Sequence, residues 1–247
     1  MDKSCLIVIP ARYGSQRFPG KVLAKLAGKP VIQWCWEAAV KAGLGEVIVA
    51  TEHKAVLEAV CAFGARAVMT SPRCQSGTDR VYEAARGSRE KFVINIQGDE
   101  PFMKAAVLKK AFLKLKNSPD CQIGTACTRI TEKADVENPN CVKVAMSGEG
   151  RALYFSRCPV PFHHPLSDLK GYPYYRHYGF YIYRREALKR FVSLKPSPLE
   201  RLERLEQLRA LENGLRIAVA QVPALGPAID VPADLKAAER FLKKAWR

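Results

Sequence analysis

The first candidate chemical groups of the chain are three cations in one short segment: Arg12, Arg17 and Lys21. The same segment carries Gly14 and Gly20. Cationic side chains neutralise phosphate charge, and glycine lets backbone N–H groups approach an anion closely. We therefore interpret the segment as a loop that binds a polyphosphate. An ordinary basic surface loop is the alternative that these residues alone leave open.

The spacing in this loop differs from that of two common phosphate-binding motifs. A Walker A loop has four residues between its glycines, followed by Lys and then Ser or Thr. Here five residues separate Gly14 from Gly20, and Lys21 is followed by Val22. The dinucleotide fingerprint G-x-G-x-x-G is also absent from the sequence. A phosphate bound here would therefore be held by another arrangement.

Two aspartates stand at predicted junctions between strands and helices. Asp99 follows an apolar strand predicted at residues 92–96, and Asp230 precedes Val231 and Pro232. Carboxylate oxygens at a strand end are suited to holding Mg²⁺ over phosphates. A turn at Asp99 and a helix start at Asp230 are the alternatives. We prefer the metal site for Asp99, because its strand ends across from the cationic loop, and Asp230 would share the ion.

The run QSGTDR at residues 75–80 leads into a predicted helix. Ser76 with Asp79 three residues later resembles a capping box. Small residues at this point would also admit a nucleobase against the backbone, with Arg80 close to phosphate. The run alone leaves both interpretations open.

The elements that must position these residues alternate between apolar strands and amphipathic helices. Strands are predicted at residues 6–9, 46–51, 67–70 and 92–96, with helical spacing between them. The alternation predicts right-handed βαβ units and a mostly parallel central sheet flanked by helices, an α/β fold. Open sheets of this kind bind ligands at the carboxyl ends of their strands, where the cationic loop also lies.

The pattern changes to short strands in the second half of the chain. We expect one domain over residues 1–247, with a core at about 1–130 and 215–247. Residues of about 138–214 would form a smaller β-rich sub-region for a second substrate and a dimer interface. Residues 172–185 interleave aromatic and basic residues, and predict a strand around Gly179 with His177 and Tyr181 facing one pocket. A stacking platform for single-stranded nucleic acid is the alternative.

Residues 197–214 predict one helix with a leucine stripe. Ser197 and Glu200 form a capping box and Gly214 ends the segment. Leu202 belongs to the predicted apolar stripe. The charges beside the stripe are typical of a solvated face. The alternative is that Glu206 and Gln207 reach a ligand.

Composition restricts the class of protein. The 40 Lys and Arg residues exceed the 24 Asp and Glu residues by 16, which favours an anionic partner. We expect no secretory signal, and no apolar stretch approaches the ~20 residues of a membrane span. The eight cysteines include no C-x-x-C pair, so we expect free, mostly buried thiols and a cytoplasmic protein. Basic residues are scattered among acids, which argues against a nucleic-acid partner.

Seven motifs together resemble those of the 3-deoxy-manno-octulosonate cytidylyltransferases, or CMP-Kdo synthetases. In chain order they are IPARYGSQRFPGK, QSGTDR, NIQGDEP, NPNCVKV, ALYFSRCPVP, HYGFYIYR and SPLERLERLEQLRALENG. The match runs from about residue 7 to 242. The resemblance implies a nucleotide-diphospho-sugar transferase-like fold and a homodimer. It also implies that CTP reacts with 3-deoxy-D-manno-octulosonate (Kdo) to give CMP-Kdo and diphosphate, with Mg²⁺ as cofactor. The product would be used in lipopolysaccharide biosynthesis.

The resemblance also implies a role for each residue that matches a motif. Four residues would be catalytic: Arg12 and Lys21 on the triphosphate, and Asp99 and Asp230 on Mg²⁺. The rest of the CTP site would be lined by Ser76, Gly77 and Arg80. The Kdo pocket would be lined by Gln97, Arg157, His177, Tyr181, Glu206 and Gln207, with Arg157 on the sugar carboxylate.

The chain departs from the family motifs at two places. Gln16 stands where Thr is usual, and the residues around Asp230 lack a glycine and a threonine of the usual motif. Those changes keep the Asp230 carboxylate but alter its backbone setting. Another acidic sugar, such as 8-amino-Kdo or a sialic acid, is the alternative substrate. A basic nucleic-acid-binding protein is the alternative of another class, and the role of Arg17 stays open.

Overall fold

The computed structural model describes residues 4–15, 17–164 and 173–245. Gln16 and Tyr172, which the sequence patterns above include, lie outside the described residues. The chain forms two compact units, Met1–Lys109 with Leu225–Arg247, and Lys110–Ala224. The description of residues 1–247 as a single domain stays a prediction.

A parallel sheet forms the centre of the first unit. β1 (Cys5–Pro10) lies between β4 (Gly45–Thr51) and β6 (Phe92–Asn95) and runs parallel to both, and β5 (Arg66–Met69) continues the sheet beside β4. β1 is fully buried because its run of aliphatic side chains is covered on both faces, as expected for a central parallel strand. The predicted parallel sheet with flanking helices is confirmed. In chain order the elements are β1 (Cys5–Pro10), β2 (Lys25–Leu26), β3 (Lys29–Pro30), α1 (Val31–Ala42), β4 (Gly45–Thr51), α2 (Lys54–Ala62), β5 (Arg66–Met69), α3 (Gly77–Ala85), β6 (Phe92–Asn95) and α4 (Ala105–Lys116), with a short 3₁₀ helix at Lys21–Leu23.

The second unit is built on mixed strands. β7 (Ile123–Arg129) lies between β11 (Ile217–Gln221), which is parallel to it, and β10 (Tyr175–Arg184), which is antiparallel. β8 pairs antiparallel with β9 and meets β10 at Arg176. The predicted strand around Gly179 is confirmed as part of β10. The elements are β7 (Ile123–Arg129), α5 (Lys133–Glu137), β8 (Lys143–Met146), β9 (Ala152–Ser156), β10 (Tyr175–Arg184), α6 (Arg185–Ser193), α7 (Pro198–Glu203), α8 (Gln207–Glu212) and β11 (Ile217–Gln221).

The prediction of one helix over residues 197–214 is wrong. The segment forms two short helices, because Arg204 adopts a left-handed backbone conformation (φ 54°) that ends α7. This break frees backbone carbonyls, and Arg157 donates to that of Glu203 at 2.7 Å. The leucine stripe is interrupted with it, since Leu202 is 79% exposed whereas Leu205 is buried.

The chain returns to the first unit in its last helix, α9 (Pro232–Ala245). Phe241 of α9 packs on Phe102, with ring centroids 4.7 Å apart. Within the described part of the chain, none of the helices combines the length and the apolar character that crossing a membrane requires. All eight cysteines are free thiols and five are buried, as predicted.

Candidate active site

The loop after β1 forms one wall of a cleft in the first unit, with a volume of about 560 Å³. The other walls are the start of α3 and the segment that follows β6. A left-handed Gly20 (φ 68°) turns the loop back and starts the 3₁₀ helix that carries Lys21. The cleft gathers many of the residues predicted to bind CTP, Mg²⁺ or Kdo: Arg12, Lys21, Ser76, Gly77, Gln97 and Asp99.

The ammonium group of Lys21 is shared by both predicted metal carboxylates. Its Nζ forms a short ion pair with Asp99 and lies 3.2 Å from Oδ1 of Asp230. Arg17, whose role the sequence left open, lies 3.2 Å from the same oxygen of Asp230. Two aspartates that are distant in sequence therefore converge on one cation.

The protonation of Lys21 follows from these contacts. Burial acts to lower the pKa of Lys21, because the charged form loses solvation. The charges of Asp99 and Asp230, and their hydrogen bonds to Nζ, outweigh burial, so that the pKa is raised. Lys21 is therefore a cation at neutral pH.

The backbone of Asp230 is held by hydrogen bonds to Asp234 and by a bond between the neighbouring residue and Asp99. Asp234 accepts hydrogen bonds from the backbone N–H of Asp230 at 2.8 Å and of Val231 at 2.9 Å. The N–H of Ile229 donates to the carbonyl of Asp99 at 3.0 Å, which ties the two aspartate segments together. Asp234 lies in the first turn of α9, so it caps that helix while it positions Asp230.

The carboxylate pair has the donor set that Mg²⁺ requires. Mg²⁺ is usually held by one or two carboxylates together with substrate phosphates and water. Among the described residues, no group of three or more His, Cys, Asp or Glu side chains has the arrangement of a metal site. Asp99 and Asp230 already bind one shared cationic group, the Lys21 ammonium. The pair therefore fits a Mg²⁺ ion that arrives with a nucleotide.

Two further features of the cleft favour an anion. Nη2 of Arg12 is buried and has no hydrogen-bond partner among the described residues. The amino terminus of α3, with Ser76 and Gly77, lines the cleft and presents the positive end of a helix dipole. The capping box of α3 is confirmed, because Asp79 N donates to Ser76 Oγ at 3.1 Å and Ser76 N donates to Asp79 at 2.8 Å.

Arg80 lies in a buried chain of contacts behind the loop. Its side chain is 2% exposed, pairs with Glu52 at 2.9 Å and donates to Thr70 in a short hydrogen bond. The other oxygen of Glu52 accepts from the backbone N–H of Tyr13 in the cationic loop at 3.0 Å. Arg80 thereby positions the loop through Glu52. Its direct contact with CTP stays a prediction.

The segment before Asp99 packs against the end of β1 because residue 98 is glycine. A Cβ atom at Gly98 would lie 2.9 Å from the carbonyl oxygen of Pro10. Gln97 lies beside it in the wall of the cleft, and its amide is 3.4 Å from the side-chain oxygen of Asn95. Gln97, which was predicted to bind the sugar acid, therefore lies in the same cleft as the cationic loop.

The other residues predicted for the sugar acid belong to the second unit. Arg157 is held by three backbone carbonyls, among them Pro139 O at 2.9 Å. The Glu203 carboxylate accepts from the backbone N–H of Arg157 at 2.9 Å and from Ser156 Oγ at 2.7 Å. Lys143 is fully buried, donates to the carbonyl of Arg157, and has a pKa lowered by burial. Arg157 is therefore braced on several sides, with part of its five N–H donors left for a ligand.

His177 and Tyr181 lie on β10 with ring centroids 5.6 Å apart. Burial lowers the pKa of His177 to about 3, so that the imidazole is neutral at physiological pH. Nε2 of the ring is 3.0 Å from the hydroxyl of Thr125. At the break after α7, Glu206 directly precedes α8, and Gln207 is the buried first residue of that helix.

Several positioning residues could not be found from the sequence. Glu52, Thr125, Lys143 and Glu203 act on partners that are distant in sequence or on backbone carbonyls, and no local pattern marks them. Asp234 is the exception, since an aspartate in the first turn of a predicted helix is a recognisable capping signal.

Comparison with known proteins assigns the chain to a family. The family model described as Cytidylyltransferase matches residues 6–217. A 3-deoxy-manno-octulosonate cytidylyltransferase of Elusimicrobium minutum is 48% identical over 96% of this chain and 98% of its own length. This chain belongs to the 3-deoxy-manno-octulosonate cytidylyltransferase family. The corresponding enzyme of Methylococcus capsulatus is 46% identical over 98% of both chains.

Solved structures agree with this assignment. The structure of a CMP:2-keto-3-deoxy-manno-octonic acid synthetase complexed with CTP has a TM-score of 0.91 and 39% identity, over 98% of this chain and 99% of that one. A 4-diphosphocytidyl-2C-methyl-D-erythritol synthase from Anaerococcus prevotii has a TM-score of 0.63 at 11% identity, over 98% of this chain and 96% of that one. The second likeness shows the shared fold only. The chain is a nucleotidyltransferase by family, as the motifs predicted.

Proposed function

We propose that this chain transfers the cytidylyl group of CTP to Kdo and releases diphosphate. The observation that carries the proposal is the contact of Lys21 with both Asp99 and Asp230, at the edge of a cleft that Lys21 and Asp99 line together with the amino terminus of α3. The related synthetase of solved structure was complexed with CTP, and the curated relatives carry Kdo in their names. These similarities support CTP and Kdo as the two substrates.

The cationic groups of the cleft provide the triphosphate site. Arg12 offers a buried N–H that lacks a partner among the described residues, and the first turn of α3 offers backbone N–H groups. Lys21 stays protonated because its pKa is raised, so it neutralises charge as diphosphate leaves. We therefore assign binding of the phosphate chain to Arg12, Lys21, Ser76 and Gly77.

The chemical step needs alignment and charge neutralisation more than covalent help from the protein. The anomeric oxygen of Kdo forms a bond to the α-phosphorus, the bond from that phosphorus to the bridging oxygen breaks, and the hydroxyl proton is lost to solvent. Mg²⁺ held by Asp99 and Asp230 would supply charge neutralisation and a lowered pKa for a hydroxyl bound to it. Asp234 and the Ile229–Asp99 backbone bond keep the two carboxylates in place for this role.

The braced guanidinium of Arg157 is suited to the carboxylate of Kdo. His177 is neutral and buried, so it offers hydrogen bonds without charge. Tyr181, Glu206, Gln207 and Gln97 complete the proposed set of contacts with sugar hydroxyls. In this arrangement Arg157 recognises the acid and the remaining residues recognise the sugar.

We further propose that the enzyme works as a homodimer in the cytoplasm, in lipopolysaccharide biosynthesis. Leu153, Phe162 and Leu202 of the second unit are 62%, 80% and 79% exposed, which supports an association surface in that unit. The eight free thiols are consistent with a reducing compartment. Light scattering with size-exclusion chromatography measures the oligomeric state.

Diphosphate release tests the reaction directly. A panel of four nucleotide triphosphates is combined with Kdo, 8-amino-Kdo and a sialic acid, with Mg²⁺ or with a chelator. We expect release only with CTP, Kdo and Mg²⁺ together. Turnover with another sugar acid but not with Kdo contradicts the substrate. Absence of release from every pair, with salt-sensitive binding of an oligonucleotide, would favour the nucleic-acid alternative.

A further inference from the structure

Thr125 contacts three polar groups with a single hydroxyl. The residue is fully buried on β7, and its Oγ1 lies 2.8 Å from the carbonyl oxygen of Phe180 and 3.0 Å from that of Tyr178. Nε2 of His177 is also 3.0 Å away. The register between β10 and β7 shifts between Tyr178 and Ile182, and the two carbonyls face the hydroxyl within this irregular stretch.

Counting protons fixes the direction of these bonds. A hydroxyl carries one proton, and carbonyl oxygens only accept. If that proton pointed to His177, two carbonyl oxygens would face the oxygen of Thr125 without a proton between them, an uncompensated buried repulsion. The proton therefore lies toward the carbonyls, and Thr125 accepts a hydrogen bond from Nε2–H of His177.

The other ring nitrogen of His177 is then an acceptor. The ring is 8% exposed and neutral, so a proton on Nε2 leaves a lone pair on Nδ1. Nδ1 makes no hydrogen bond to any residue that the structure describes. The ring of Phe155 packs edge-on at 4.8 Å and that of Tyr181 lies at 5.6 Å, which restricts rotation of the imidazole.

We propose that Thr125 is a positioning residue that holds His177 as the Nε2–H tautomer, so that Nδ1 accepts a hydrogen bond from a hydroxyl of the substrate sugar. An acceptor-only nitrogen attracts a hydroxyl proton and repels a carboxylate. His177 thereby orients the sugar acid with its carboxylate toward another residue, the role assigned to Arg157. The inference rests on the proposed function for the identity of this ligand, whereas the tautomer is a property of the protein alone.

Nitrogen NMR of the histidine rings tests the tautomer without any substrate. The chain has four histidines, so protein labelled with ¹⁵N-histidine gives a simple ring spectrum. The signals that disappear in the His177→Gln variant are those of His177. We expect the Nε2–H pattern for His177 from pH 5 to 8, with no titration. An Nδ1–H pattern, or a ring that gains a proton in this range, overturns the proposal.

Substitution of Thr125 tests the consequence for the sugar. Thr125→Val removes the hydroxyl at nearly constant volume, so we expect a mixture of tautomers and a KM for Kdo raised roughly threefold to tenfold, the effect of one hydrogen bond. Thr125→Ser keeps a hydroxyl and should restore both the ring pattern and the KM for Kdo. The KM for CTP should not change.

The outcomes separate this inference from the proposed function. A valine variant that keeps the Nε2–H tautomer and the wild-type KM for Kdo overturns the role of Thr125. If the valine variant fails to fold, the wild-type spectrum and the serine variant still decide the tautomer. Lack of turnover with Kdo in the wild type contradicts the proposed function, while the ring spectrum continues to test the tautomer.

Discussion

Replacement of Lys21 by methionine should have opposite effects on metal binding and on catalysis. Lys21 neutralises Asp99 and Asp230 in the absence of ligand, so its ammonium competes with a metal ion for the same oxygens. Methionine keeps most of the length and packing of the side chain but removes the charge. We expect the variant to bind a divalent cation more tightly and to transfer the cytidylyl group more slowly.

The size of the effect follows from Coulomb attraction. Two unit charges at 4 Å attract by about 1 kcal/mol even at the dielectric constant of water. Lys21 contacts two carboxylates at shorter distances, so about 2 kcal/mol of competition is removed, or about 30-fold in cation affinity. Loss of a cation beside the transferring phosphate should lower kcat by roughly a hundredfold to a thousandfold.

Electron paramagnetic resonance of Mn²⁺, titrated without nucleotide, measures the affinity, and diphosphate release measures kcat. Lys25→Met is a matched control, because Lys25 is exposed and lies outside the cleft. The reasoning is refuted if Lys21→Met binds Mn²⁺ no more tightly than Lys25→Met does. It is refuted also if the Lys21 variant keeps a wild-type kcat.

Three further substitutions test separate parts of the structure. Asp99→Asn removes a proposed metal ligand, so diphosphate release should fall by roughly a hundredfold or more while the circular dichroism spectrum is unchanged. Arg80→Met leaves the carboxylate of Glu52, 19% exposed, without a neutralising cation, and should reduce the free energy of unfolding in urea by about 3 kcal/mol. His177→Gln should reduce the dependence of stability on pH. In the unfolded chain the His177 ring gains a proton below its ordinary pKa of about 6.5, whereas in the folded protein burial lowers that pKa to about 3. Wild-type stability should therefore decrease as the pH is lowered, by about 2 kcal/mol between pH 7 and 5 from this residue.

Each of these predictions has a contradicting result. Near-normal Mg²⁺-dependent turnover by Asp99→Asn would remove Asp99 from the metal site. Unchanged unfolding of Arg80→Met would show that the contact with Glu52 contributes little to stability. If the urea midpoint of unfolding changes equally in the wild type and in His177→Gln between pH 7 and 5, the ring is not buried in its neutral form.

Local patterns were sufficient to predict the parallel sheet and the loop that follows its first strand. Burial of an aliphatic run such as β1 depends on the run itself, and alternation with helices restricts the topology. The capping box at Ser76 and the strand containing His177 were predicted for the same reason. The motifs also indicated the family, because seven short patterns in order are specific even where each is common.

The helix break at Arg204 could not be predicted from the same kind of pattern. Residues 197–214 have the caps and the leucine spacing of one helix, and a left-handed arginine is unfavourable on its own. It is compensated by Arg157, which binds the carbonyl groups that the break exposes. Such compensation depends on a residue that is distant in sequence.

The sequence by itself determined which groups this protein has for phosphate and metal chemistry: a cationic loop after the first strand and two aspartates at predicted junctions between strands and helices. Only the tertiary structure decided how they are paired, with Lys21 between Asp99 and Asp230 and with Arg80 buried behind the loop. The physical reason is that secondary structure follows from short-range sterics and periodicity. Ion pairs, buried protons and pKa values depend instead on distances that only the folded chain sets.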